Sequence, residues 1–404
     1  MAFDEPSAQL HQELRSAVQR ALSLRRPVLH HLNADSSWLL QIPRPETAIK
    51  RGARFYYNIL LDPWLSGPQT DLANWFSQQV HATPSAVQSI AELEELVREV
   101  EILASGLRSS KSRISNADVE ASISEEETLI DAVAISHEFS DHCHRDTLLQ
   151  LHPDVSIFAI KEAAKSIKSW DHFRTVVVIN NFGVDGDTDW RSTSLPPLPE
   201  WIGISRLLQT DGVLNFHSAL LITFNNRHGN AMSKLKAMNR HTANAVRERH
   251  HSTIEANEDD ETAEAVIYTP HGIFSGDLDL VPKAQPPIST LAFLHGLHNV
   301  RIGTARGRTA LQTNLGAHNG LKAQRILNAS YWIGTHDEVK KGVGIIARFL
   351  QRDEITLKDA LEHERRSQQD GGTRKANGDW SAMLDSFEDT NWIDLRNGES
   401  RILM

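Results

Sequence analysis

Short apolar runs recur along the second half of the chain, separated by polar segments. Runs of this length that are rich in β-branched and aromatic residues predict buried strands. Two earlier segments, SSWLLQIPR and RFYYNILLDPWLSGP, predict strands by the same pattern. The later predicted strands are DAVAI, VSIFAI, RTVVVI, WIGISRL, NFHSALLITF, AVIYT, STLAFLHG and YWIGTHD.

Fewer segments carry the spacing of an amphipathic helix. Residues 5–25 repeat an apolar side chain every fourth position, and residues 86–105 place Val, Ile and Leu on one face before Gly106. Shorter helices are predicted in KEAAKSIKSW, GAHNGLKAQRIL and LKDALEHERRSQ. Many strands with few helices favour an α+β fold of packed sheets over a strictly alternating parallel sheet.

Changes in composition divide the chain into three parts. We predict an N-terminal amphipathic helix over residues 1–30, one large domain over 31–366, and a polar, loosely ordered tail over 367–404. Two polar inserts, about 108–128 and 226–263, are predicted to lie on the surface, the second with a basic and then an acidic half.

Composition narrows the classes of function. The formal charge of −10 over 404 residues argues against a nucleic-acid surface, which needs a basic face. A single cysteine excludes an internal disulfide, and no apolar run is long enough to cross a membrane. With no secretory signal pattern at the N-terminus, we expect a cytoplasmic protein that acts on a small molecule. Its oligomeric state stays open.

Histidine is abundant, with 20 residues, and several lie where predicted strands end. The segment SHEFSDHCH after DAVAI contains His137, Asp141 and His142. His217, His271 and His336 belong to or follow three later strands. Strand ends that meet at one sheet edge would gather neutral imidazoles and a carboxylate, the ligands that zinc prefers in proteins.

The order of these motifs resembles the metallo-β-lactamase superfamily, and in particular its lactonase-like branch. ILLDPWL is similar to the early strand–Asp segment, and SHEFSDHCH to the His-x-His-x-Asp-His signature. NFHSALLITF, AVIYTPHG and YWIGTHDE follow in the order of the later ligand segments, so that the resemblance covers roughly residues 35–350. It implies a four-layer αββα sandwich with metal at one edge of the paired sheets.

Two positions depart from the family pattern. Phe139 stands where the signature has its second His, and His271 stands where an Asp usually bridges two metals. The resemblance therefore implies a degenerate site with one ion, held by Asp141, His142 and His336 with His271 nearby. The weaker position, His137 with His217, is empty, borrows His271, or binds substrate.

The implied activity is hydrolysis of an ester, lactone, amide or phosphoester by a metal-bound hydroxide. The ion is expected to be zinc, with iron and manganese as alternatives. His137 and His217 would donate to a developing oxyanion, and His137 or Asp141 would move a proton. Asp62 either holds a ligand imidazole or forms a turn before Pro63.

Two other functions fit the same residues. The chain could have lost hydrolysis and bind a small molecule, or it could be a metal-dependent lyase or isomerase. Each ligand candidate also has a structural interpretation: Asp141 as a helix cap, His217 as a core residue, His271 as a turn residue and His336 as a partner of Asp337. His144 is expected to face away from the site, and Cys143 to be a small buried residue.

Overall fold

The computed structural model describes residues 24–45, 54–71, 73–109, 128–208, 216–226, 261–304, 308–370 and 389–404, together with positions 16 and 48. Most of its strands belong to two large sheets. The strands of the seven-stranded sheet, in spatial order, are β19 (Ser400–Ile402), β1 (Val28–His31), β2 (Trp38–Pro43), β3 (Tyr56–Leu61), β6 (Ala132–Ile135), β7 (Ser156–Ala159) and β8 (Val176–Val178). The strands of the six-stranded sheet are β18 (Trp392–Ile393), β15 (Tyr331–Ile333), β12 (Ile288–His295), β11 (Ala263–Thr269), β10 (Ser218–Phe224) and β9 (Ile202–Leu208).

The two large sheets pack face to face. One apolar cluster contains alternate residues of β2 and β3 from the first sheet, such as Leu40 and Ile59, and alternate residues of β10 and β11 from the second, such as Ile222 and Val266. The period of two along each strand sends these side chains inward and their neighbours outward. This cluster is the central core of the molecule.

Helices cover the outer faces of both sheets. The outer side of the first sheet packs on α1 (Ile90–Ser109) and α3 (Lys161–Lys168), and that of the second packs on α4 (Ala317–Leu327) and α5 (Leu357–Asp370). A one-turn helix, α2 (Arg145–Leu148), follows the His-rich segment. The predicted α+β class is confirmed.

Two small antiparallel sheets complete the described chain. One joins β4 (Gln69–Asp71), β5 (Ser77–Val80) and β16 (Lys341–Val343), and the other joins β13 (Asn299–Gly303), β14 (Thr309–Asn314) and β17 (Leu350–Asp353). Their strands are short and half exposed, which explains why no apolar run predicted them. No helix in the described ranges is long and apolar enough to cross a membrane.

The ends of the chain differ in part from the sequence-based division. The predicted helix over 5–25, the cores of both inserts and residues 371–388 lie outside the described residues. Val28–His31 is a strand of the large sheet, paired with both β2 and β19. Residues 389–404 do not form a loose tail, because β18 pairs with β15 and β19 pairs with β1. The sequence did not predict these two short edge strands because the segment is polar in composition.

Candidate metal centre

The candidate ligands lie at the ends of strands that run parallel to each other. β3 and β6 are parallel in the first sheet, and β11, β12 and β15 are parallel in the second. The carboxyl ends of parallel strands meet at one edge of a sheet. Asp62 follows β3, His137 follows β6, His271 follows β11 and His336 follows β15.

Two overlapping groups of buried side chains could each hold a metal ion. In the first, which we call the Asp141 triad, ligand atoms of Asp141, His142 and His336 all lie within 4.8 Å of one another. In the second, the same limit holds for His137, His142 and His271. His142 belongs to both groups. The structure thus gathers five of the six predicted ligands.

The tautomer of His142 is fixed by Asp62. His142 Nδ1 lies 2.8 Å from Asp62 Oδ2, and both side chains are fully buried. An ionised carboxylate only accepts hydrogen bonds, so Nδ1 carries a proton and neutral His142 directs the lone pair of Nε2 into the site. Asp62 also accepts from Ser136 N at 2.7 Å, from the Ser136 hydroxyl, and from the Tyr268 hydroxyl at 2.9 Å. Asp62 therefore occupies the position of a carboxylate that orients a metal-binding imidazole.

The other imidazoles are anchored in the same way. His336 Nδ1 donates to Asp35 Oδ2 at 3.0 Å, which leaves Nε2 facing Asp141 Oδ2 at 3.8 Å. His271 Nδ1 lies 3.3 Å from Asn314 Oδ1, and its Nε2 lies 3.1 Å from His142 Nε2. Two unprotonated Nε2 atoms at that distance repel each other unless a proton or a metal ion lies between them.

The spacing of the donor atoms agrees with first-row metal coordination. Ligands at about 2.0–2.1 Å from a tetrahedral ion lie about 3.3–3.4 Å apart. Asp141 Oδ1 is 3.6 Å from His142 Nε2, and Asp141 Oδ2 is 3.8 Å from His336 Nε2. The Asp141 triad therefore has the donor chemistry of a divalent-ion site, with both separations a little longer than this spacing.

Two of these residues have strained backbones. Asp62 has φ of 40° and His336 has φ of 60°, in the left-handed region that residues with a Cβ rarely adopt. Each comes shortly after a central strand, where the chain leaves the sheet sharply. Such conformations persist where the surroundings impose them, and they cluster at functional sites.

His137 differs from the anchored ligands because both of its nitrogens have protein partners. Its Nε2 lies 2.9 Å from the carbonyl oxygen of Phe216, and its Nδ1 lies 2.8 Å from Ser136 Oγ. A carbonyl oxygen accepts, so Nε2 carries the proton and donates. Burial lowers the pKa of His137 well below its ordinary value, and the imidazole is neutral at pH 7.

An aromatic pair lies beside the second group of potential ligands. The rings of Phe139 and Phe216 stack with centroids 4.7 Å apart. Phe139 lies 6.1 Å from the rings of both His137 and His271. This side of the second group is therefore an apolar wall without a ligand.

His217 lies outside both groups of potential ligands. Its Nδ1 is 3.3 Å from the carbonyl oxygen of His271, and its ring meets Phe274 edge to face at 5.0 Å. Burial lowers its pKa, but the side chain is only partly covered. Its predicted role as a ligand or substrate contact stays a prediction. His144 caps α2 by accepting from Thr147 N, and Cys143 is buried among apolar residues.

Sequence reasoning missed a lysine in this cluster. Lys340 Nζ lies 2.9 Å from Asp141 Oδ2 and 2.8 Å from Asp35 Oδ2. Burial opposes the charge of all three groups, yet their mutual attraction raises the pKa of Lys340 and lowers those of Asp35 and Asp141. Burial also works against a charged His142, but Asp141 and Asp62 outweigh it and raise the pKa of His142.

No protein-family model matches the chain, and no curated protein matches it. Among solved structures, it is similar to one described as a possible metal-dependent hydrolase from Veillonella parvula DSM 2008, with 11% identity over 94% of this chain and 100% of the other, and a TM-score of 0.44. An isothiocyanate hydrolase from Delia radicum gut bacteria gives 10% identity over 93% and 99% of the two chains, with a TM-score of 0.45. The metallo-β-lactamase fold protein YhfI from Bacillus subtilis gives 10% identity over 93% and 99%, with a TM-score of 0.39. Because these similarities are low, a functional conclusion has to come from the side chains of the site.

Proposed function

We propose that this protein is a metal-dependent hydrolase that acts on an ester, lactone, amide or phosphoester of a small molecule. The observation that carries the proposal is the Asp141 triad, in which both imidazoles have a carboxylate on Nδ1 and a lone pair on Nε2. Proteins use this arrangement to bind metal, since the outer carboxylate orients the ring and raises its basicity. A core histidine needs no such anchor.

One divalent ion is proposed, held by Asp141, His142 and His336 with His271 beside them. The ligand types suit zinc, and also iron or manganese. When bound, such an ion supplies Lewis acidity that activates water and polarises a carbonyl or phosphoryl oxygen. The lactonase-like resemblance makes a lactone the first substrate to try.

The chain's own residues prepare the site for this chemistry. Asp62 and Asp35 keep the Nδ1 protons of His142 and His336 in place, so that each Nε2 faces inward. The stacked pair Phe139–Phe216 excludes water from one side. Electrostatic interactions strengthen where water is excluded, which favours stabilisation of developing charge.

Proton transfer and oxyanion binding are assigned to the histidines outside the Asp141 triad. His137 is neutral and carries its proton on Nε2, so it can donate to a substrate oxygen that replaces the Phe216 carbonyl. His217 is the second proposed donor, from the opposite sheet. Asp141 is bound by Lys340, and we assign it to metal ligation rather than to proton transfer.

We propose a groove of about 790 Å³ as the space for the substrate, although none of the candidate ligands lines it. It begins at the ends of β7 and β8, next to the strand that leads to His137. This volume is in the range of small-molecule sites. Its lining residues include Ile160, Lys161, Asn180, Phe182, Arg206 and Leu208.

Elemental analysis of protein purified without added metal tests the proposed function first. We expect about one divalent ion per chain in the wild type and none in the double variant Asp141→Ala/His336→Ala. The matched control is Asp279→Ala with His152→Ala, two positions outside the site. A folded wild type that binds no metal after reconstitution would reject the proposal and favour a binding protein.

Substrate screening in labelled water tests the reaction class. Lactones, esters, amides and phosphoesters are offered to the metal-loaded protein in H₂¹⁸O. Incorporation of one ¹⁸O atom into the product marks hydrolysis, whereas conversion without incorporation marks a lyase or isomerase. The double variant, which lacks two ligands, should show no turnover.

A further inference from the structure

Lys340 is a buried cation beside the proposed metal ion, a position where two positive charges would repel each other. Its side chain is 8% exposed, and its ammonium group joins Asp35 and Asp141, which are 0% and 12% exposed. The aliphatic chain ends over the ring of Trp64, with Nζ 5.2 Å from the centroid. A lysine is rarely buried to this extent unless it is paired. Here it is paired twice, each time through a carboxylate that serves the metal centre.

Asp35 depends on this arrangement for its charge. Its Oδ2 accepts from both His336 Nδ1 and Lys340 Nζ, while its buried Oδ1 has no hydrogen-bond partner among the described residues. A buried carboxylate needs compensation by charge or hydrogen bonds. Lys340 supplies that compensation, and through Asp35 it also supports the orientation of His336.

The charged side chains that are ion-paired with His142, with His336 or with one another have a net charge of −2. Asp35, Asp62 and Asp141 carry three negative charges, and Lys340 carries one positive charge. The remaining two negative charges equal the charge of one divalent ion. Two such ions would leave a buried excess of positive charge, which a low-dielectric site strongly disfavours.

Lys340 also donates a hydrogen bond to one of the two carboxylate oxygens of Asp141. Its Nζ lies on Oδ2, whereas Oδ1 is the oxygen nearer to His142 Nε2, at 3.6 Å. A second ion on the Lys340 side would have to share Asp141 Oδ2 and Asp35 Oδ2. Both oxygens already bind the ammonium group. An ion held by His137, His142 and His271 would not use these oxygens, and there the charge balance alone opposes it.

We propose that Lys340 is a fixed cation of the metal centre, and that its charge and its hold on Asp35 and Asp141 limit the centre to one divalent ion. This inference rests on the proposed metal centre and adds the residue that sets its ion count. Lys340 is thus a positioning residue, which acts on the ion through Asp141 and on His336 through Asp35.

Metal titration of Lys340→Met tests the inference. Methionine keeps the length of the side chain and removes the charge, so that two carboxylate oxygens become available to a hard cation. Mn²⁺ is the probe because it prefers carboxylate and water ligands. We expect about one Mn²⁺ per chain in the wild type and about two in Lys340→Met by equilibrium dialysis. Two ions about 3.5–4 Å apart would also give a spin-coupled electron paramagnetic resonance spectrum in the variant.

Two matched variants isolate the charge. Lys341→Met removes the exposed neighbouring lysine at the start of β16, and should bind one ion. Lys340→Arg keeps the positive charge and should also bind one ion. A second ion in Lys340→Arg would overturn the inference, since charge would then not set the count.

The remaining outcomes separate this inference from the proposed function. A wild type that binds no Mn²⁺ or Zn²⁺ rejects the metal centre itself. A wild type with one ion and a Lys340→Met variant with one ion leaves the metal centre standing and rejects the role of Lys340. If Lys340→Met does not fold, the wild type still decides: a second ion bound at millimolar Mn²⁺ beside an intact Lys340 would overturn the inference.

Discussion

Asp62 accepts more hydrogen bonds than any of the proposed metal ligands. It accepts from a backbone amide, a serine hydroxyl, a tyrosine hydroxyl and His142, and its side chain is fully buried. Three of the donor groups belong to Ser136 and His142, which follow β6 of the first sheet, and the fourth belongs to Tyr268 in β11 of the second sheet, so Asp62 ties both sheets to the orientation of one imidazole. Its left-handed backbone is the strain that accompanies this position.

Asp62→Asn should therefore weaken metal binding without removing a ligand. The amide cannot accept all four hydrogen bonds, and the Nδ1 proton of His142 is no longer held by a charge. Loss of such an outer carboxylate typically reduces metal affinity about 10–100-fold. Competition with a chelating dye measures the affinity. Asp279→Asn, at an exposed position, is the control, and equal affinities in Asp62→Asn and the control would contradict the role.

Prediction at the residue scale depended on whether a local pattern existed. A strand that ends in Asp-Pro-Trp singled out Asp62, and the cluster after β6 singled out Asp141 and His142. Asp35 and Lys340 have no such pattern, because Asp35 meets His336 across 301 positions of sequence. Only the packed sheets bring them together.

At the scale of elements, α4 packs against the second sheet through a glycine. A Cβ at Gly320 would lie 2.6 Å from Trp332 Cζ2 and 2.8 Å from His295 Nδ1, side chains that belong to β15 and β12. The helix approaches the sheet closely because this position has no side chain. This contact fixes the helix over the strand that leads to His336.

Gly320→Ala should destabilise the protein, although alanine favours a helix by about 1 kcal/mol over glycine. The buried clash forces ring or helix to move, which costs about 1–3 kcal/mol and outweighs the gain in propensity. Chemical denaturation measures the free energy of unfolding. Gly276→Ala is the matched control, since a Cβ there meets nothing within 4 Å. Equal stability of the two variants would show that the helix can shift freely.

A second link between elements holds the segment that carries Lys340. Glu338 Oε2 lies 2.7 Å from His81 Nδ1, and Glu338 Oε1 accepts from Thr83 N at 2.9 Å. The His81 ring stacks on Trp64 at 3.7 Å. These contacts join the chain after β5 to the chain before β16.

Glu338→Gln should lower the free energy of unfolding by about 1–3 kcal/mol, because a neutral amide replaces the two charge-assisted hydrogen bonds that the buried carboxylate makes with His81 and with the Thr83 amide. Glu95→Gln, at an exposed position of α1, should change it by less than about 0.5 kcal/mol. Thermal unfolding monitored by circular dichroism compares the two. A loss no larger than that of Glu95→Gln would mean that the link is not needed for stability.

The hydrophobic pattern of the sequence was sufficient to predict the strands of the two large sheets that consist mainly of apolar residues. All ten apolar runs that predicted strands form strands of the two large sheets, and nine of them are mostly buried, whereas Val176–Val178 at the edge of the first sheet is partly exposed. The strands Thr309–Asn314 and Leu350–Asp353 were not predicted, since they are polar and half exposed. Strands of that kind are stabilised by pairing with a neighbour, which a single sequence does not reveal.

At the scale of the whole molecule, the structure also buries neutral histidines that belong to neither group of candidate ligands. Burial lowers the pKa of His30 and of His295 to about 4. His30 lies between Ser400 and Gln41 in the first sheet, and His295 ends β12 in the second. Each is uncharged in the folded protein at pH 5, whereas an unfolded chain would protonate it.

This difference makes stability fall on mild acidification. A histidine whose folded pKa lies below its unfolded value of 6.5 binds its proton more readily in the unfolded state, so the free energy of unfolding decreases as pH falls from 6.5 toward 4. Between pH 7 and pH 5, each of the two should contribute a loss of about 2 kcal/mol. Urea unfolding of the chelator-treated protein at both pH values measures the loss. His295→Gln should reduce this loss by one histidine's share. An identical pH dependence in wild type and His295→Gln would mean that His295 titrates alike in the folded and unfolded chain, contrary to its burial.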